Sequence, residues 1–309
     1  MEAGTIAATI SIADLMEDYL AACAAKNLSG ESVKLYRIAL DRFLRFVPSS
    51  DIASIDERLL RRYIFSMQSS GLSSSTVHDY YGAVQSLLKY SASAGVISNN
   101  PAAAVQKPKK SHRLPTVLSE AQSQALLDAC PDWSWKGKRD KTAIFLLLGS
   151  GLRLSELLSL NLYDIDHDGF LRVIGKGDKE RSVPIEDNVI KVLQDWMGVR
   201  AHVLNGKPHE ALFINRQRGR MGKAFGQSVR EIGKRAGFHC TPHALRHTFA
   251  TDWIRGGGDS TTLRDILGHS NISITEKYIS LAQKDFRQAA SQYSITRKLR
   301  FGSRQMSLI

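Results

Sequence analysis

Apolar residues recur three and four positions apart through four stretches near the start of the chain, the spacing that turns one helix face toward a core. The stretches are 11–27 (SIADLMEDYLAACAAKN), 31–47, 56–68 and 73–95. In 31–47 the apolar face is Val33, Tyr36, Leu40, Phe43 and Val47. Ser11 and the serines at 73–75 stand where a hydroxyl caps a first turn, and Gly95 closes the fourth stretch. Four such helices bury a modest core. The pattern predicts a helical domain over 1–100.

Periodicity stops at 101–116, which holds three prolines and the basic residues Lys107, Lys109, Lys110 and Arg113. That segment reads as a basic linker, either beside an anionic partner or simply solvated. From 117 to 309 helical spacing returns at 118–130, 140–149, 154–160, 186–203, 222–236, 242–255, 260–268 and 272–282. Ser119 and Gln122 have capping-box spacing. Residues 170–185 alternate around a Gly-rich turn and predict a β-hairpin, with 211–215 as a third-strand candidate. The expected fold class is mainly α in two domains, the second carrying a small antiparallel sheet.

Composition changes the picture through charge. The 309 residues are 43% hydrophobic and 23% charged, ordinary values for a globular protein, but the net charge is +12. With a pI near 9.7, that excess points to nucleic acid or an anionic membrane surface. No apolar run approaches the roughly 18–20 residues needed to span a bilayer. The first ten residues contain no Lys or Arg, so no leader is expected. Cys23, Cys130 and Cys240 lie far apart, and the nine histidines show no metal-ligand spacing. The expectation is a cytoplasmic protein with reduced thiols, no metal and no cofactor.

Candidate chemistry sits in four places. In GSGLRLSELL, Arg153 follows a glycine turn and Glu156 is placed to orient it. In GKGDKER, Lys176 occupies the hairpin tip, with simple phosphate contact as an alternative reading for Lys179 and Arg181. In TPHALRHTFAT, His243 and Arg246 stand three apart on one helix face, with His247 one step on. In LGHSNISITEKYIS, His269 precedes Tyr278 by nine residues. Taken singly, each has a bland alternative: a surface ion pair, a solvated turn, a core histidine, a packed tyrosine.

Their order is distinctive. Arg, hairpin Lys, His-x-x-Arg, His and a late Tyr together resemble the tyrosine recombinase (phage integrase) family, and the layout is similar to its compact Xer-like members. The resemblance spans nearly the whole chain and implies a helical core-binding (SAM-like) domain, a linker and a catalytic domain that clamp DNA. It implies that Tyr278 is the nucleophile, that Arg153 and Arg246 bind the scissile phosphate and that Lys176 is the general acid. His243 and His269 would assist, with Glu156 supporting the first arginine. Where this family often has ATG, the chain has GSG at 149–151, which implies a looser turn. The implied activity is site-specific recombination through a 3′-phosphotyrosyl link and Holliday-junction exchange. It would serve integration or excision of a mobile element, or dimer resolution. The implied partners are double-stranded DNA with inverted-repeat core sites and a homo-tetramer on two sites, alone or with a paralogous recombinase. The tail at about 284–309 would dock on a neighbour.

The residue types suit this chemistry. A phenol stores the phosphodiester's energy covalently and, with a pKa of about 10, leaves readily in the reverse step. Guanidiniums meet the charge that grows on the non-bridging oxygens, in place of a metal ion. Duplex contacts are expected from Lys107, Lys109 and Lys110 in the linker. Further contacts are expected from Arg216, Arg218, Arg220, Lys223, Arg230, Lys234 and Arg235, which surround the helix near 222. Two alternatives stay open here: a DNA-binding regulator without catalysis, and a monomeric type IB topoisomerase-like nicking-closing enzyme.

Overall fold

The structure is a computed structural model, and it describes residues 11–110, 115–166, 168–175, 179–268, 275, 276 and 278. The chain divides into two compact units, 1–113 and 114–309.

In the first unit, α1 (Ile12–Ala25), α2 (Gly30–Phe46), α3 (Glu57–Ser69) and α4 (Ser74–Ser93) follow the four periodic stretches. Side chains cap each start: the oxygens of Ser11, Ser29, Asp56 and Ser73 accept a backbone N–H from the first turn. Each such cap contributes about 1 kcal/mol. Leu15, Leu40, Phe43, Leu60, Tyr63, Tyr81 and Leu88 are among the residues of one continuous core. The first half of the expected linker belongs to this unit. Asn100 caps a 3-10 turn at Pro101–Ala104, and Ala102 and Val105 are buried in the helical core. Farther along, the Pro108 carbonyl lies 2.6 Å from His78 Nδ1, and Lys110 pairs with Asp79 at 2.7 Å. Two buried residues, one in a 3-10 turn and one just after it, are too short a signal for helical periodicity to reveal.

In the second unit, α5 (Glu120–Asp128) opens with the Ser119/Gln122 capping box. α6 (Trp135–Ser150) starts earlier than its apolar pattern, because Ser134 caps a first turn rich in lysine and glycine. α7 (Leu154–Ser159), α8 (Asp187–Leu204), α9 (Phe225–Arg235), α10 (Pro242–Arg255) and α11 (Ser260–Leu267) complete the helices with described bounds. Thr275, Glu276 and Tyr278 are also helical. α6 is central, packing on α8 and α10, and its Ala143, Ile144, Leu146 and Leu147 are buried in the core.

The hairpin pairs β1 (Phe170–Ile174) with β2 (Glu180–Pro184) antiparallel, Phe170 opposite Pro184 and Ile174 opposite Glu180. The third-strand candidate is corrected: among the described residues the sheet has two strands, and 211–214 makes only isolated bridges, Ala211 with Asn161 and Ile214 with Arg220. Its apolar run is buried because it lines the helical core, not because it joins the sheet.

The turn at 149–151 is closely packed at its last residue. Gly151 ends α6 at φ 63°, and a Cβ there would lie 2.3 Å from Phe249 Cδ1 and 2.8 Å from Leu267 Cδ2. Only glycine combines that backbone with that clearance. Two residues on, Arg153 donates to the Gly268 carbonyl at the end of α11.

Candidate active site

Arg153 is the N-cap residue of α7, and Glu156 reaches back to it. The Glu156 carboxylate accepts the Arg153 backbone N–H at 2.8 Å and its Nη1 at 2.8 Å. Arg181, on β2, donates to the same carboxylate with both terminal nitrogens, at 2.9 and 2.8 Å. The Arg246 guanidinium stands 4.0 Å from it. Burial alone would push the Glu156 carboxyl up, but the hydrogen bonds from Arg181 and Arg153 outweigh it and hold the group below the usual carboxylate range. One buried anion thus organises three cations.

The same three arginines also converge on the C-terminal end of α11. Arg181 Nε donates to the Ile266 carbonyl (2.7 Å), Arg246 Nη2 to Leu267 (2.8 Å) and Arg153 Nη2 to Gly268 (3.2 Å). These three consecutive carbonyls lie in the last turn, where intrahelical donors run out and the helix dipole is negative. Arg246 Nη1 further donates to the Gly151 carbonyl at 2.8 Å. Arg246 is buried, and burial together with the Arg153 charge pulls its pKa down to about 10, which still leaves it cationic at neutral pH.

α10 presents His243, Arg246 and His247 on one face. Thr241 caps the helix and Pro242 occupies its first turn, so the face is set within one turn of the N-terminus. The His243 ring stacks near that of His247, centroids 6.2 Å apart. Burial and the charges of Arg246 and Arg153 hold the His243 pKa below the ordinary imidazole value. Tyr278 is 2% exposed, packed among Ala250, Ile254, Leu263 and Leu267. Its hydroxyl lies 2.9 Å from His247 Nδ1. Burial raises the phenol pKa, and Arg246 and Arg153 oppose that rise only in part.

Arg153, Glu156, His243, Arg246 and Tyr278 are therefore gathered in one place. Lys176 and His269 lie outside the described residues. Two further participants have roles that the sequence reading did not give them. Arg181 is corrected from a phosphate contact to a buried fork on Glu156, its side chain only 13% exposed. Its signal was strand alternation, which turns it to the same face as the buried Val183. His247 had its signal in the helix spacing, four residues after His243.

The expected DNA contacts divide. Lys107, Lys109 and Lys110 are exposed in the first unit, with Lys110 paired to Asp79. Arg216, Arg218, Lys223, Arg230, Lys234 and Arg235 are exposed in the second. On α9, Gln227, Arg230 and Lys234 share the outer face while Val229 and Ile232 pack inward. Arg220 has a different duty. Its Nη1 donates to the carbonyls of Leu158, Ser159 and Leu160, and its Nη2 to Asn161 Oδ1, so it caps the C-terminus of α7.

Comparison with known proteins agrees with this geometry. The phage integrase family model matches residues 116–285, and the phage integrase SAM-like domain matches 11–110. Tyrosine recombinase XerC of Stutzerimonas stutzeri is 35% identical over 275 residues, which cover 87% of this chain and 90% of that protein. Two solved structures share the fold. A lambda integrase dimer bound to a COC′ core site has a TM-score of 0.74 at 16% identity, over 87% of this chain and 95% of that one. XerH site-specific recombinase bound to a palindromic difH substrate has a TM-score of 0.71 at 23% identity, over 91% and 84%. With both units matched and its arginines gathered as the motifs implied, the chain belongs to the phage integrase family of tyrosine recombinases, enzymes of site-specific recombination.

Proposed function

We propose that this enzyme breaks and rejoins duplex DNA with Tyr278 as the nucleophile, forming a 3′-phosphotyrosyl link. The observation that carries this is the placement of a buried phenol beside α10, within the field of Arg246 and Arg153. Both guanidiniums are pre-oriented by Glu156 and the α11 carbonyls, so little reorganisation is needed when a phosphate arrives. In this reaction Arg153 and Arg246 take the non-bridging oxygens. Lys176 protonates the departing 5′ oxygen, and His243 and His269 assist at the phosphate. His243, held neutral at pH 7, suits hydrogen bonding better than charge donation.

DNA affinity comes from the exposed lysines and arginines, Arg230 and Lys234 on α9 foremost. Strand exchange proceeds through a Holliday junction in a tetramer on two inverted-repeat sites in the cytoplasm. Residues 284–309 are long enough to dock on a neighbouring subunit, and truncation at 283 should then abolish synapsis while sparing single-site cleavage.

The test is covalent capture. The full-length protein is incubated with a random duplex library, and DNA that remains attached after denaturation is sequenced. A nicked suicide duplex carrying the recovered site then yields an adduct with the wild-type protein. Tyr278→Phe should bind that duplex and form no adduct. An adduct that survives in Tyr278→Phe sinks the assignment.

A further inference from the structure

The Tyr278 hydroxyl and His247 Nδ1 are 2.9 Å apart, within range for direct proton transfer. The two rings lie 5.6 Å apart between centroids, tilted by 46°. His247 directly follows Arg246 on α10, so the turn that carries the guanidinium into the site carries this imidazole to the phenol. Tyr278 needs such a neighbour, because a phenol with a pKa at or above about 10 enters the reaction protonated. Neither arginine can take that proton, since both are cationic throughout the neutral range.

We propose that His247 is a catalytic residue, accepting the Tyr278 phenolic proton at Nδ1 as the oxygen attacks the scissile phosphorus. This rests on Tyr278 being the nucleophile. Before cleavage the ring carries its hydrogen on Nε2, and the phenol donates to the open Nδ1. The O–H bond then breaks and its electron pair forms the new O–P bond. The bond from phosphorus to the 5′ oxygen breaks with its pair on that oxygen, which takes a proton from the acid assigned to Lys176. His247 is left as an imidazolium. In rejoining, the incoming 5′ hydroxyl gives its proton back to the acid assigned to Lys176 and its oxygen attacks phosphorus. The bond from phosphorus to the phenolic oxygen breaks with its pair on that oxygen, and the His247 imidazolium returns the proton to it. His243, one turn earlier and stacked on His247, is left to serve the phosphate.

The experiment measures single-turnover adduct formation by the full-length protein on the nicked suicide duplex recovered above. His247→Gln should bind the duplex like wild type and cleave about 10²–10⁴-fold more slowly. A purely positional role predicts the same slowing, so a second readout separates the two. A fluorinated tyrosine installed at 278 has a more acidic phenol and depends less on a base. It should restore most of the lost rate in His247→Gln and change the wild-type rate far less. Cleavage by His247→Gln at the wild-type rate, with Tyr278→Phe inactive, would overturn the proposal and leave the nucleophile intact. Slow cleavage that the fluorinated phenol does not rescue would overturn it too, reducing His247 to a positioning residue. An adduct in Tyr278→Phe would remove the nucleophile assignment and this inference with it.

Discussion

Arg181 grips Glu156 with both terminal nitrogens, and that contact ties the β-hairpin to the helix start that carries Arg153. The Arg181 and Glu156 side chains are 13% and 4% exposed, so neither has water to fall back on. Stranding a buried charge costs about 3–5 kcal/mol, and removing Arg181 costs less than that because Arg153 still donates to Glu156. Arg181→Leu should lower the urea midpoint accordingly, and adduct formation should suffer more than DNA affinity because Glu156, which orients Arg153, loses two of its hydrogen bonds. Arg181→Lys keeps the charge but not the fork, and should fall between wild type and Arg181→Leu in both assays.

Glu156 also gives stability a defined pH dependence. Its folded pKa lies below the unfolded value, so its contribution is complete above the ordinary glutamate pKa, about 4.3, and is lost as pH falls through the lower folded value. Denaturation of wild type and Glu156→Gln should therefore differ most above pH ~5 and converge as the pH drops toward 3. A gap that widens on acidification would contradict the sign.

Arg246 donates to two carbonyls from different segments of the chain, Gly151 and Leu267. A lysine cannot span both with fixed geometry. Arg246→Lys should bind DNA nearly as well as wild type and form adduct on the order of 10²–10³-fold more slowly. Comparable losses in binding and cleavage would mean that Arg246 serves affinity, not the reacting phosphate.

Arg220 and the α9 cations are equally exposed to view in the sequence, yet they should behave differently. Arg220→Ala removes the cap of α7 and should cost about 1–3 kcal/mol of stability. Arg230→Ala or Lys234→Ala should leave stability nearly unchanged and lower the salt dependence of DNA affinity by about one unit of slope each. Binding titrations across salt concentrations, with thermal melts of the same variants, separate the two classes.

Helices with strong caps and an apolar stripe were legible because every determinant is local. Ser11 on α1, the Ser119/Gln122 box on α5 and Thr241 with Pro242 on α10 each act within one turn. The hairpin was legible from its alternation, and the ordered Arg, His and Tyr motifs from spacing along the chain. Residues 211–214 were misread because an apolar run reports burial without saying which partner buries it. Arg181 and Arg220 were misread for a related reason: a guanidinium looks the same in a sequence whether it faces a phosphate or a row of carbonyls. Chain folding alone sets Arg181 on Glu156 across 25 residues and Arg246 on Leu267 across 21. It also brings His247 to Tyr278 across 31. Local sequence can specify which groups are present and which face of an element they occupy. Which groups meet depends on packing between distant elements, and packing is a property of the assembled core.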